Sequence, residues 1–194
     1  MFKKISLELG GKNSSIVFAD CDMEKTVAGV VRSGFLNQGQ VCLCGSRVLV
    51  ESSVYDEFEA KFVESVEQMR IGDPSDDSTD LGALISRDHL QKVQGYVNLA
   101  IEEGGRVLTG GAPSLPSEFE GGNWMAPTVI AGLSPESRCS TEEIFGPVVT
   151  LHRFESEEGA VEIANGTRYG LAGSVWTGDM ERGKRVSEAC LLYT

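Results

Sequence analysis

One stretch concentrates residues able to do chemistry. Phe35-Leu36-Asn37-Gln38-Gly39-Gln40-Val41-Cys42-Leu43-Cys44-Gly45-Ser46 is a polar, glycine-bearing turn with Cys42 at its exit. A helical pattern runs into it and a strand pattern leaves it, so the thiol lies on a short connection between two rigid elements, where functional side chains are often placed. As a thiolate, Cys42 would be a nucleophile. The competing reading is a small buried hydrophobe, the commoner fate of an isolated free cysteine. Two carboxylate-bearing stretches flank the turn in the chain. Glu8 precedes the pair Gly10-Gly11, glycines that permit positive φ or close backbone approach and leave Glu8 near the mouth of a turn. Glu142-Glu143 come immediately before Ile144, Phe145 and a Gly146-Pro147 turn. A lone strand-end glutamate is usually just solvated, so Glu8 alone assigns no reaction.

The elements that must position these residues alternate in type. Ile5, Leu7 and Leu9 alternate with polar neighbours, which predicts a short strand with Glu8 on the opposite face. Residues 15–19 are apolar enough for a strand buried on both faces. Asp20 and Asp22 offer N-cap oxygens to a helix over about residues 23–36, with Val27, Val30, Val31 and Gly34 on one face. A buried strand over 47–51 follows, then Ser52-Ser53 as a cap for an amphipathic helix to about Arg70, striped by Val54, Phe58, Phe62, Val66 and Met69. Residues 71–82 form a solvated loop whose acidic residues lack the spacing of a calcium loop. Ser86 caps a helix to about Glu103 through Leu90, Val93, Val97 and Ile101, stopped by Gly104-Gly105. Strands are expected at 106–109, 127–131, 148–151 and 173–176, helices at 156–165 and from Asp179, and a long surface loop at 110–123. The alternation argues an α/β fold, a layered, largely parallel sheet with flanking helices. The final apolar residues Val186, Ala189, Cys190, Leu191 and Leu192 run out without a cap, which reads as a truncated chain.

Composition narrows the function classes. With 41% hydrophobic and 24% charged residues among 194, the chain is an ordinary globular sequence with no apolar run of transmembrane length and no secretory h-region, so a cytoplasmic address is expected. A net charge of −12 repels phosphate backbones and argues against nucleic-acid partners. The five cysteines are odd in number and scattered, unlike a disulfide framework, and with two histidines, His89 and His152, they offer no closed zinc spacing, so no metal is expected.

Three separated motifs, Leu7-Glu8-Leu9-Gly10-Gly11-Lys12, the Phe35–Cys42 turn and Glu142-Glu143-Ile144-Phe145-Gly146-Pro147, resemble in order and spacing the aldehyde dehydrogenase superfamily over almost the whole chain. Within it, Cys42-Leu43-Cys44 and the run from Gly82-Ala83-Leu84-Ile85-Ser86 through His89 and Val93 look like the muconic semialdehyde dehydrogenases, which oxidise 2-aminomuconic or 2-hydroxymuconic semialdehyde.

The resemblance implies a covalent oxidation. Cys42 adds to the aldehyde as thiolate, the thiohemiacetal becomes a thioester as hydride leaves to a nicotinamide, and water activated by Glu8 as general base releases the acid. The Cys42 N–H would help hold the oxyanion. Glu143 corresponds to the carboxylate that accepts hydrogen bonds from the nicotinamide ribose and Phe145 to the aromatic beside it; Leu9, Gly10 and His89 join the implied cofactor contacts. NAD, or NADP, is the implied cofactor, a small-molecule aldehyde the partner, and a homo-oligomer the full-length form. Residues 1–12 would close the cofactor-domain portion and 13–194 form a catalytic thiol domain incomplete at its C-terminus. No glycine-rich phosphate-binding turn precedes Glu8, so the chain alone is expected to bind NAD poorly and to show little dehydrogenase activity. Two other readings follow from the same residues: an inactive fragment that associates with full-length subunits, and a cofactor-independent thiol esterase using Cys42 and Glu8.

Overall fold

A computed structural model describes residues 2–111 and 121–191. Most of the 110–123 loop, and the end of the chain from Leu192, lie outside the described residues. In chain order the elements are β1 (Ser14–Val17), α1 (Met23–Phe35), β2 (Arg47–Glu51), α2 (Tyr55–Glu67), α3 (Arg87–Glu102), β3 (Arg106–Thr109), β4 (Thr128–Ala131), α4 (Arg138–Thr141), β5 (Val148–Phe154), α5 (Glu157–Asn165), β6 (Gly173–Trp176) and α6 (Met180–Ala189). Six strands form one sheet in the order β3-β4-β5-β2-β1-β6, parallel throughout except for the antiparallel β3–β4 pair. The expected α/β architecture is therefore present.

The central strands are covered on both faces because their side chains alternate between two cores. Val17, Val48, Val50 and Val149 pack toward α1 and α2, against Val27, Val30, Phe35, Phe58 and Phe62. Ile16, Leu49 and Phe154 point the other way, toward Ala160 of α5 and Val186 of α6. Phe35, Phe58 and Phe62 are wholly buried, each contributing about 2–3 kcal/mol of transfer free energy. A third cluster, Val93, Val97 and Ala100 with Ile130, Leu133 and Val148, seats α3. Gly34 lets α1 lie close to the sheet: a Cβ there would stand 2.8 Å from Val149 Cγ2. That contact fixes the end of the helix that delivers the thiol turn.

Four local expectations differ. The strand around Ile5, Leu7 and Leu9 does not form; residues 2–13 are irregular and these side chains are 80%, 66% and 55% exposed. An isolated strand leaves its ladder groups unpaired, and no strand of this sheet lies beside it. Ser52 and Ser53 do not cap α2, whose N-cap is Val54 without a side-chain bond. They turn instead to carboxylates, Ser52 Oγ donating to Glu155 at 2.6 Å and Ser53 Oγ to Glu51 at 3.2 Å, while Asp56 and Glu57 answer the helix dipole. On α3 the core position after Val97 is Ala100, and Ile101 is 56% exposed. The short α4, capped by Ser137, has too few residues for a periodic signal. Among the described residues no helix is long and apolar enough to cross a membrane.

Candidate active site

The thiol turn begins where α1 stops. Asn37, Gln38 and Gly39 take three successive left-handed conformations, with φ of 51°, 58° and 65°. Asparagine and glycine tolerate this region, whereas Gln38 needs outside support. That support comes from the loop after Leu81: with its amide oriented to satisfy both ends, Gln38 accepts from Gly82 N at 2.7 Å and donates to Asn37 O at 3.0 Å. Gln40 Oε1 accepts from Ile85 N at 3.1 Å. Gly39 presses on the third motif, since a Cβ there would lie 2.2 Å from the Gly146 carbonyl oxygen.

Val41 to Cys44 then close a β-turn through Cys44 N and Val41 O, 3.0 Å apart, with Cys42 at its second position. Cys42 is half-buried, and among the described residues its sulfur has no hydrogen-bond partner. Cys44 is buried, its thiol donating to Gly34 O at 3.0 Å and pushed up to about 12 by burial. Burial also pushes the Cys139 thiol up to about 12; it donates to Tyr96 O at 3.2 Å. Both are packing residues, so the closely spaced pair Cys42 and Cys44 divides into one available thiol and one inert one.

The first motif reaches the same place through its glycines. Gly11 N donates to Glu143 Oε1 at 2.9 Å. A Cβ on Gly10 would fall 2.6 Å from Glu143 Oε2, and one on Gly11 would fall 2.8 Å from the Cys42 carbonyl oxygen. Asn13 completes the junction: its Nδ2 donates to Cys42 O at 2.7 Å and Cys44 O at 3.0 Å, and its Oδ1 accepts from Ala172 N at 3.0 Å. The structure thus brings together Gly10, Cys42, Glu143, Phe145 and His89. Glu8 and Leu9 are exposed on the irregular lead-in, and no hydrogen bond or ion pair holds Glu8 to Cys42.

His89 has a definite task here. Its Nε2 lies 2.6 Å from Phe145 O, so that nitrogen carries the proton, and the two rings meet edge-on at 6.1 Å. Phe145 is held at φ 61°, a region that a bulky residue leaves unless pinned. Of the two adjacent carboxylates, Glu142 faces away: it accepts from Tyr96 Oη at 2.7 Å and, bidentately, from Arg138 at 2.8 and 3.1 Å. The hydrogen bonds from Arg138 and Tyr96 hold it down to about 2. Glu143 is the one aimed at the glycine pair.

Sequence reasoning passed over Lys12, Asn13 and Arg47. Lys12 is 2% exposed with no partner for Nζ among the described residues, and burial followed by the nearby Arg47 charge pulls it down to about 7. Arg47 is buried at the start of β2 and spends its guanidinium on the carbonyls of Lys12, Ile163 and Ala164 at 2.7–2.9 Å. A basic residue directly after a glycine pair, and another opening an apolar strand, were the available signals. Lys12, Asn13 and Ser14 border a cleft of about 460 Å³ between β6 and α6. His152, the second histidine, is buried and held down to about 4 by that burial, its Nε2 against Thr150 Oγ1 at 3.0 Å. Among the described residues no group of three His, Cys, Asp or Glu side chains could hold a metal ion.

Comparison with known proteins agrees with the fold and with the family that the motifs resemble. The model of the aldehyde dehydrogenase family matches residues 1–191. The 2-aminomuconic semialdehyde dehydrogenase of Danio rerio is 50% identical over 198 residues, covering 99% of this chain and 41% of its own. The 2-hydroxymuconic semialdehyde dehydrogenase of Pseudomonas putida is 46% identical over 186 residues, 95% of this chain and 38% of its own. The crystal structure of betaine aldehyde dehydrogenase from Staphylococcus aureus in complex with NAD+ superposes with a TM-score of 0.93 at 38% identity, over 95% of this chain and 37% of that one. The chain therefore spans about two fifths of the length of these relatives.

Proposed function

The chain belongs to the aldehyde dehydrogenase family, and from that premise we propose that it carries the thiol half of an active site that oxidises an aldehyde, a muconic semialdehyde by its similarity to the relatives so named, to the carboxylic acid. The observation that carries this reading is the junction of all three motifs on the Cys42 turn, with Gly11 against the Cys42 carbonyl, Glu143 on Gly11 N and Gly39 against Gly146. Cys42 adds to the aldehyde carbon, its S–C bond forming as the carbonyl electron pair moves to oxygen. After oxidation the thioester needs water, and Glu8 is the base that takes its proton. Glu8 is exposed and unanchored on the lead-in, so this role requires the lead-in to settle over the thiol.

The residues present fit one end of NAD. Glu143 gives one oxygen to Gly11 and keeps lone pairs for a ribose hydroxyl, and Phe145, pinned by His89, offers an apolar edge beside it. NAD, when bound, supplies the hydride acceptor. Residues 2–13 lie outside the sheet and β1 opens it at Ser14, which supports a boundary near Lys12 between a cofactor-domain portion and the thiol domain.

The exposed Ile5, Leu7 and Leu9 favour a second reading for the isolated chain, in which it associates with full-length subunits and lacks activity of its own. p-Nitrophenyl acetate separates the two. Acetyl transfer to Cys42, located by peptide mass mapping and lost in Cys42→Ala, supports the thiol reading; nitrophenol release unchanged in Cys42→Ala refutes it.

A further inference from the structure

The Cys42 turn is held through its carbonyls. Cys44 N takes the Val41 carbonyl, and Asn13 Nδ2 takes those of Cys42 and Cys44. By contrast, the N–H groups of Val41, Cys42 and Leu43 have no acceptor among the described residues. In a trans peptide plane the C=O and N–H point in opposite directions. A Val41 carbonyl turned into the turn therefore sends the Cys42 N–H outward, and a Cys42 carbonyl drawn onto Asn13 sends the Leu43 N–H to the other side. Successive outward amides of this kind form an anion-binding concavity.

Asn13 is built to hold that arrangement. It is 4% exposed, its own backbone carbonyl accepts from Arg47 N at 3.1 Å, and both ends of its amide are engaged. The Ala172 N–H needs an acceptor and the Cys42 carbonyl needs a donor, while the Cys44 carbonyl also accepts from Ser46 N at 2.9 Å, so the amide has one satisfactory orientation. Gly11 packs against the same Cys42 carbonyl.

We propose that Asn13 is a positioning residue for acyl chemistry at Cys42: its bond to the Cys42 carbonyl orients the Leu43 N–H, and its bonds to both carbonyls brace the turn whose Val41–Cys44 closure sends the Cys42 N–H outward, so that these N–H groups meet the oxyanion formed when the thiol adds to a carbonyl. The proposal rests on Cys42 being the nucleophile. The step is a plain addition: the S–C bond forms and the carbonyl π pair becomes the oxyanion. No oxidant is consumed.

Two reagents separate this role from simple support of the fold. Acetylation by p-nitrophenyl acetate passes through an oxyanion, whereas alkylation by iodoacetamide does not. Both rates are measured at Cys42 by peptide mapping in the full chain. Removing a whole oxyanion donor costs enzymes roughly 10²-fold; for the misaligned donors of Asn13→Ala we expect acetylation about tenfold slower, with alkylation within about twofold of wild type. Asn13→Asp keeps the shape and the acceptor for Ala172 N but removes the donors, and serves if the alanine variant does not fold; the same split is expected. Buried Cys44, Cys139 and Cys190 remaining unmodified certifies the fold. Equal changes with both reagents, or none with either, in a folded variant overturn the role of Asn13 while Cys42 remains the nucleophile. Wild-type protein alkylated but never acetylated at Cys42 overturns the nucleophile reading and this proposal with it.

Discussion

Glu143 and Gly11, 132 residues apart in sequence, are joined by a 2.9 Å hydrogen bond from the Gly11 N–H to the Glu143 carboxylate. The bond ties the irregular lead-in that carries Glu8 to the loop before β5. Glu143→Gln keeps an acceptor and should leave the junction intact, whereas Glu143→Leu leaves a partly buried N–H unpaired. We expect a loss of about 1–2 kcal/mol for the leucine variant and near-wild-type stability for the glutamine. Hydrogen exchange at the Gly11 amide reads the effect directly; equal protection in both variants would show that the bond does not hold the lead-in.

The glycines of the junction should differ sharply in tolerance. Alanine at Gly39 meets the Gly146 backbone at 2.2 Å while sitting at φ 65°, and neither backbone can yield cheaply. A loss of about 3 kcal/mol or more is expected. Alanine at Gly10 meets only the end of the Glu143 side chain, at 2.6 Å, which can move aside at no more than the cost of its bond to Gly11 N, about 1–2 kcal/mol. Thermal denaturation of the two variants should therefore show a large drop for Gly39→Ala and a smaller one for Gly10→Ala.

Lys12 gives stability a distinctive pH course. Folding pulls it from its ordinary 10.5 to about 7, so between those values the unfolded chain holds more protons and stability rises with pH; below 7 the charged, unpartnered amine bears its full burial penalty. His152, held down to about 4, acts likewise lower on the scale, and stability is lost as pH falls from about 6.5 toward 4. Lys12→Met should raise the urea midpoint at pH 6 and flatten its rise between pH 7 and 10. An undiminished rise in the variant would mean that the amine is not sealed from water.

Thiol labelling should divide the cysteines. Cys42 and Cys21 are partly accessible, whereas Cys44, Cys139 and Cys190 are buried with thiols raised by that burial. Under native conditions a limited iodoacetamide treatment is expected to modify Cys42 and Cys21 first, the others reacting only after denaturation. Early modification of Cys44 would contradict the bond from its thiol to Gly34 O.

Most of this architecture is legible in the sequence because it rests on local rules. Asp22, Ser86 and Ser156 cap their helices through bonds to the backbone N–H three residues on, and the apolar run of β2 announces a strand covered on both faces. The failures lie where a distant partner decides. Alternation at Ile5, Leu7 and Leu9 is a true strand pattern, yet a strand forms only beside a neighbour. The seryl groups of Ser52 and Ser53 have an equally good cap position but find carboxylates instead. At the candidate site, the motifs pointed to Cys42, Gly10, Glu143, Phe145 and His89, which the fold brings together, whereas nothing local pointed to Asn13: it joins the Cys42, Cys44 and Ala172 backbone groups, none of which local sequence places beside it.

The exposed lead-in also governs how the chain behaves as a colloid. Phe2, Ile5, Leu7 and Leu9 present a short-range adhesive edge, while the net charge of −12 supplies a longer-range repulsion between molecules. Salt shortens that repulsion, to about 10 Å at 0.1 M and about 3 Å at 1 M, and leaves the adhesion untouched. The protein should therefore stay dispersed in dilute buffer and associate as ionic strength rises, the reverse of a molecule held together by ion pairs; light scattering across a salt series would show it, and Leu7→Lys should delay the onset.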